Sequence, residues 1–251
     1  MAAFTAWLLV GPSAHAAPTL EADEVLVGFG IADMTPPVGV PLAGYANRRA
    51  EIGQWFSGAA YARLFHPSNA VHDPIEARAM AIERDGRRLV FLRLDLVAVS
   101  RDLIAAIRAR LTDLALPEDA LVVTATHTHS GPGAWMDSLV WAIIGTDTYR
   151  PEIFARLAES GARAVRAALA DEAPARLLVG SFAASGLQRN RRDRSQPVDD
   201  TANLILARDR DGAWRGGLLN FAIHPTALPA DRKSTRLNSS HSQQSRMPSS
   251  A

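Results

Sequence analysis

Short apolar runs of strand length alternate along the chain with two longer stretches of helical period. Residues 25–33 read as a strand. Pro36, Pro37, Gly39, Pro41, Gly44 and Asn47 then mark a loop, because such residues favour turns over ladders. The sequence stays irregular to His72, with an amphipathic patch at 59–65. Two runs flank Asp85-Gly86, the two-residue signal that closes a hairpin. Ser100 is a candidate N-cap for a helix over 101–114, where Leu103, Ile104, Ile107 and Leu111 recur at helical spacing. Residues 120–126 read as a buried strand. Pro151 suits the first turn of a helix reaching about residue 170, with Ile153, Phe154, Leu157, Ala164, Val165 and Ala168 on one face. Runs at 177–185, 203–209 and 216–224 predict three more strands. The expected fold is α/β: mixed β-sheet layers with flanking helices, in one domain. The hairpin argues against a purely parallel, doubly wound sheet.

Composition adds limits. The 251 residues are 47% hydrophobic and 21% charged, ordinary for a globular domain and enough for one sizeable core or two small ones. The chain has no cysteine, which excludes disulfides and thiolate metal sites and leaves His, Asp, Glu and Tyr as possible ligands. Net charge is +1, and the final stretch supplies Arg232, Lys233, Arg236 and Arg246 against Asp231, so the preceding body stands at −2. Nothing in that balance points to nucleic acid.

The two ends read differently from the middle. Residues 6–10 are apolar and Ala14-His15-Ala16 is a small-residue cleavage pattern, so 1–16 is expected to be a signal peptide and the protein secreted or periplasmic. That apolar run is far short of the ~20 residues that cross a bilayer, and no transmembrane span is expected. Residues 231–251 are Ser-rich and contain Lys233, the chain's one lysine. Their sequence resembles a translated short-read sequencing adapter. A non-native, disordered segment is expected there, with 17–230 as the front part of an incomplete catalytic domain.

The chemistry concentrates in three blocks. Thr126-His127-Thr128-His129-Ser130-Gly131-Pro132-Gly133 directly follows a strand. Residues two apart on a strand share a face, so His127 and His129 are expected to point together from the sheet's end. Two such imidazoles suit a divalent metal, or one ligand beside one proton carrier, or a structural hydrogen-bonded pair. Asn220-Phe221-Ala222-Ile223-His224-Pro225-Thr226 repeats the arrangement, an apolar strand ending in His and then Pro. Gln188-Arg189-Asn190-Arg191-Arg192-Asp193-Arg194 is either a solvated loop or a source of an Arg aimed at an oxyanion. Asp95, inside an apolar strand, requires a partner and either backs a ligand His or caps a loop.

Together with 27–37, Gly44-Tyr45-Ala46, the hairpin at 77–96 and the pair Asn190-Arg191, these blocks occur in the order of the neutral/alkaline non-lysosomal ceramidases, which the chain resembles over most of 25–226. The resemblance implies a catalytic zinc held by two His, one Glu and one Tyr, and hydrolysis of ceramide to sphingosine and a fatty acid. By motif, His127 and His224 correspond to the histidine ligands. His129 corresponds to the active-site histidine beside the metal and Arg191 to the active-site arginine, with Asn190 as an adjoining substrate contact. The implied Glu and Tyr fall beyond residue 230. Ala134 stands where the family often has Gly, and Arg192 where it has Ser, as in shorter bacterial relatives. The implied partner is ceramide or a related N-acyl lipid, and through it a membrane surface. Two other readings stay open: the same metal-hydrolase scaffold acting on another amide or ester, and a non-catalytic lipid- or carbohydrate-binding domain with structural histidines.

Overall fold

A computed structural model of the chain describes residues 19–55, 58–226 and 234–235. The expected signal peptide lies outside these residues, as does most of the expected tail.

The strands are β1 (Glu24–Asp33), β2 (Ala70–Val71), β3 (Glu76–Arg84), β4 (Arg87–Leu94), β5 (Leu121–Ala125), β6 (Ala173–Ala183), β7 (Thr201–Arg208), β8 (Trp214–Phe221) and β9 (Ser234–Thr235). The helices are α1 (Arg101–Ala109), α2 (Leu139–Trp141) and α3 (Pro151–Ala170). Seven strands form one sheet in the order β5-β4-β3-β1-β6-β7-β8, and β2 pairs with β9 separately. Within the large sheet β4 and β5 are parallel, joined through α1, and its other neighbours are antiparallel. The fold is α/β with a mixed sheet.

Local chemistry explains the elements. The β3–β4 hairpin turns on Asp85 (φ 52°) and Gly86 (φ 75°), both left-handed as a two-residue hairpin turn requires. Ser100 caps α1, its hydroxyl accepting the Leu103 N–H at 3.1 Å. The helix expected over 101–114 stops at Ala109. Thr112–Leu114 tighten into a 3-10 turn and Ala115 goes left-handed at φ 48°. The poor helix formers Thr112 and Asp113 explain the early stop, while Leu111 stays buried. The last three strands begin earlier than expected, and β8 ends at Phe221, before His224. The irregular stretch before His72 holds two 3-10 turns, Ala46–Arg48 and Ile52–Gln54, and the two residues of β2.

One face of the sheet carries α3, with α1 packed beside it. Leu92, Leu94, Leu103, Ile107, Leu157 and Val165 are fully buried between these layers. Contact with β1 is so close that a Cβ at Gly28 would lie 2.0 Å from the Ala168 carbonyl oxygen, and one at Gly30 2.1 Å from that of Ala164. The other face builds a smaller core from Val27, Phe29, Met80, Ala175 and Ala207. The sheet coils around that side. Phe91, Val122 and Thr124 from β4 and β5 face Ile205, Leu218 and Asn220 from β7 and β8 across a hollow of about 490 Å³. The two edges of a seven-stranded sheet are thereby brought near one another, which positions the site below.

Candidate metal centre

The imidazoles of His127, His129 and His224 meet at one point. Their ring centroids form a near-equilateral triangle, 5.0 Å for His127–His129, 4.8 Å for His127–His224 and 4.9 Å for His129–His224. Each offers a nitrogen within 4.8 Å of the others, the one cluster of this kind among the described residues.

Two loops deliver these rings. After β5 the Thr126 N–H still bonds the Leu94 carbonyl at 3.0 Å, and then His127 turns left-handed at φ 59°. Side-chain turns follow, Thr126 Oγ1 accepting from Thr128 N and Thr128 Oγ1 from Ser130 N. The expectation that strand alternation aligns His127 with His129 is therefore corrected. The strand has ended, and the left-handed residue sets the two rings at 82° to one another. The Gly-Pro-Gly stretch then threads through a narrow gap. A Cβ at Gly131 would lie 2.5 Å from the Asp95 carbonyl oxygen, and one at Gly133 2.3 Å from that of Thr146. His224 arrives three residues beyond β8, with Pro225 buried behind it.

Each ring has distinct surroundings. His127 Nδ1 lies 2.6 Å from the Val97 carbonyl oxygen. Only a protonated Nδ1 bonds a carbonyl, so the lone pair of His127 is on Nε2. His129 is buried, and its Nε2 lies 3.0 Å from His224 Nε2. Tyr45 stands edge-on to the His129 ring at 4.6 Å. Gly44, left-handed at φ 99°, leaves the space that ring occupies. Arg48, buried and 4.7 Å from the Tyr45 centroid, donates to the backbone carbonyls of Ala43 and His129. Burial, then the neighbouring His127 and His224, and then Arg48 and Arg191 pull the pKa of His129 down to about 4. His224 is lowered in the same direction by burial, His127 and Arg191. Both rings thus favour the neutral form that binds a metal.

The other expected residues divide. Arg191 is exposed, and its charge reaches His129, His224 and Tyr45. The Asn190 side-chain oxygen accepts from the backbone of Arg192 and Asp193, closing its own turn. Asp95 is fully buried, 2.7 Å from Arg93 Nη1, and accepts the Glu76 N–H at 3.0 Å. It caps the entry to β3, and the acceptor behind His127 is a backbone carbonyl instead. Burial raises the Asp95 pKa, with Arg93 opposing. Gly44, Tyr45 and Arg48 escaped the residue-level reading because they sit in a loop without periodicity. The Gly44-Tyr45-Ala46 block was their one visible signal.

Comparison with known proteins gives a consistent answer. The family model described as "Neutral/alkaline non-lysosomal ceramidase, N-terminal" matches residues 25–236. A neutral ceramidase from Mycobacterium tuberculosis is 27% identical over 221 residues, 80% of this chain and 32% of that protein. One from Pseudomonas aeruginosa is 27% identical over 247 residues, 90% of this chain and 34% of that protein. The crystal structure of the Pseudomonas aeruginosa enzyme shares the fold, with a TM-score of 0.71 at 24% identity over 85% of this chain and 34% of that one. The chain spans about a third of the length of these relatives. It belongs to the neutral/alkaline non-lysosomal ceramidase family, whose N-terminal region it carries.

Proposed function

We propose that a full-length protein carrying this chain hydrolyses the N-acyl amide bond of ceramide to sphingosine and a fatty acid, with zinc held in part by His127 and His224. The observation that carries this reading is the convergence of three imidazoles from two edges of one sheet.

The donor set fits zinc. Tetrahedral zinc with bonds of ~2.0–2.1 Å separates its nitrogens by about 3.3–3.4 Å. The ligand nitrogens of His127 and His224 lie within 4.8 Å of one another, so a small inward shift of the rings places both on one ion, with His129 beside them. All donors are neutral nitrogens, and no thiol or calcium-type oxygen cage competes among them. When bound, zinc lowers the pKa of a water to about 7 and polarises the amide carbonyl.

The chain's own residues do the rest. The Val97 carbonyl fixes the tautomer and ring plane of His127. His129, neutral at pH 7 and aimed at the centre through Nε2, takes a proton from the attacking water and passes it to the departing amine nitrogen. Arg191 sets positive charge where the carbonyl oxygen becomes an oxyanion. Tyr45, Gly44 and Arg48 hold the His129 ring in place. The four-ligand set implied by the family includes a Glu and a Tyr besides His127 and His224. The 251-residue chain alone is therefore proposed to be inactive.

The test is release of fatty acid from a fluorescent ceramide by the full-length protein, with and without chelator. Zinc-restored turnover that His127→Ala abolishes supports the reading. Turnover of short N-acyl amides but not ceramide would move the substrate class, and chelator-resistant turnover would overturn the metal.

A further inference from the structure

Asp95 sits where the chain leaves β4. The turn at Asp85-Gly86 makes Arg84 and Arg87 a hydrogen-bonded pair, and the register carries that alternation through Arg78 and Arg93. Glu76 and Asp95 come next, where a regular ladder exchanges two backbone bonds. One of them is made, from the Asp95 N–H to the Glu76 carbonyl at 3.2 Å. For the other, the Glu76 N–H goes to Asp95 Oδ2 at 3.0 Å. The carboxylate thus stands in for the main-chain carbonyl of its own residue. It closes the ladder while the backbone departs.

That departure builds the wall behind the His cluster. The Leu96 N–H bonds the Leu94 carbonyl at 2.9 Å, a tight turn spanning three residues. Val97 follows and presents its carbonyl 2.6 Å from His127 Nδ1. The Asp95 carbonyl lies against the Gly-Pro-Gly passage, 2.5 Å from where a Cβ at Gly131 would be. The Leu94 carbonyl also accepts the Thr126 N–H at 3.0 Å. The turn that orients His127 and the strand that delivers it therefore hang on one atom.

Arg93 fixes the carboxylate from two residues earlier, its Nη1 2.7 Å from Asp95 Oδ1. Both side chains are buried. Such a pair costs desolvation, and an apolar pair of similar size is commonly as stable. Stability alone does not account for placing an ion pair here, whereas the geometry it imposes does.

We infer that Asp95 is a positioning residue of the metal centre, its carboxylate replacing a ladder carbonyl so that the turn at 95–97 aims the Val97 carbonyl at His127. The use of this device rests on the reading of His127 as a zinc ligand; its geometry does not.

The experiment separates the acceptor from the charge. The 251-residue chain is labelled with nitrogen-15 in its histidines. Long-range proton–nitrogen NMR at alkaline pH, without metal, reads the tautomer of each ring, and His127→Ala assigns the His127 signals. The wild-type chain should hold the His127 proton on Nδ1. Arg93→Met with Asp95→Leu should fold, as apolar replacements of buried pairs do, but offers the Glu76 N–H no acceptor. It should lose the fixed tautomer and bind zinc about tenfold or more weakly in calorimetry, as loss of an outer partner does at metal sites. Arg93→Met with Asp95→Asn keeps an oxygen for the Glu76 N–H without the charge, and should keep both the tautomer and the wild-type zinc affinity. A mixed His127 tautomer in the wild-type chain would overturn the inference. So would an unchanged tautomer in the folded Leu variant, or its loss in the Asn variant. If circular dichroism shows the Leu variant unfolded, the wild-type and Asn spectra decide. A tautomer change in a chain that binds no zinc would uphold the role of Asp95 and remove the metal reading instead.

Discussion

The Nε2 atoms of His129 and His224 lie 3.0 Å apart, although 95 residues separate them. One ring follows β5 and the other follows β8, the two edge strands of the sheet. Sheet coiling supplies that proximity, since each strand adds to a consistent twist and seven strands with a small core on the concave side bring the edges together. The site is therefore a property of the whole sheet.

Gly44 is predicted to be irreplaceable. A Cβ there would lie 2.6 Å from His129 Cγ, at a backbone φ of 99° that side-chain-bearing residues avoid. Gly44→Ala should lose about 1–3 kcal/mol in urea unfolding and should lower turnover of the full-length protein by displacing the His129 ring. Gly53→Ala, with nothing within 4 Å of the added methyl, is the control and should leave turnover unchanged.

The Arg93–Asp95 pair predicts a non-additive series. Both side chains are buried, at 7% and 0% exposure. Asp95→Ala leaves an unpaired guanidinium and should cost about 3–5 kcal/mol, whereas Arg93→Met with Asp95→Leu should recover most of that loss. Equal destabilisation by the single and double variants in urea melts would contradict this account of Asp95.

Glu24 predicts an acid-side effect. Hydrogen bonds from Arg210 and the Glu21 backbone hold its pKa at about 2, below the ordinary 4.5. A depressed carboxylate pKa stabilises fully above the unfolded value, and that stabilisation disappears as pH falls through the folded one. Glu24→Gln should thus be less stable than wild type at pH 7, with the gap closing between pH 4.5 and 2. A gap that does not change with pH would mean that Glu24 contributes through shape alone.

Much of this arrangement was legible in residue order. Apolar runs located the hairpin, α3 and the long strands, most of which bury one face, although the second half of β6 is exposed on both. Ser100 and Pro151 marked helix starts through their own backbone chemistry. The end of α1 was misread since Leu111 keeps helical spacing after the helix has stopped. The convergence of His127 with His129 was expected from alternation, yet it arises from a left-handed residue that periodicity cannot reveal. Arg48 carried no pattern and Tyr45 only its place in the Gly44-Tyr45-Ala46 block, and α2 read as nothing because its apolar residues face water. Long-range proximity, as between His129 and His224, depends on sheet order, which local sequence does not encode.

The most direct test of the central claim is titration of the 251-residue chain with zinc at pH 7, read by calorimetry beside His127→Ala, His224→Ala and the surface control His72→Ala. One equivalent of zinc should bind saturably. Each site variant should weaken binding by more than the ~10–100-fold that loss of a supporting partner costs at a metal centre, with the His72 variant unaffected. Absence of saturable binding, or wild-type affinity in either the His127 or the His224 variant, would contradict the account.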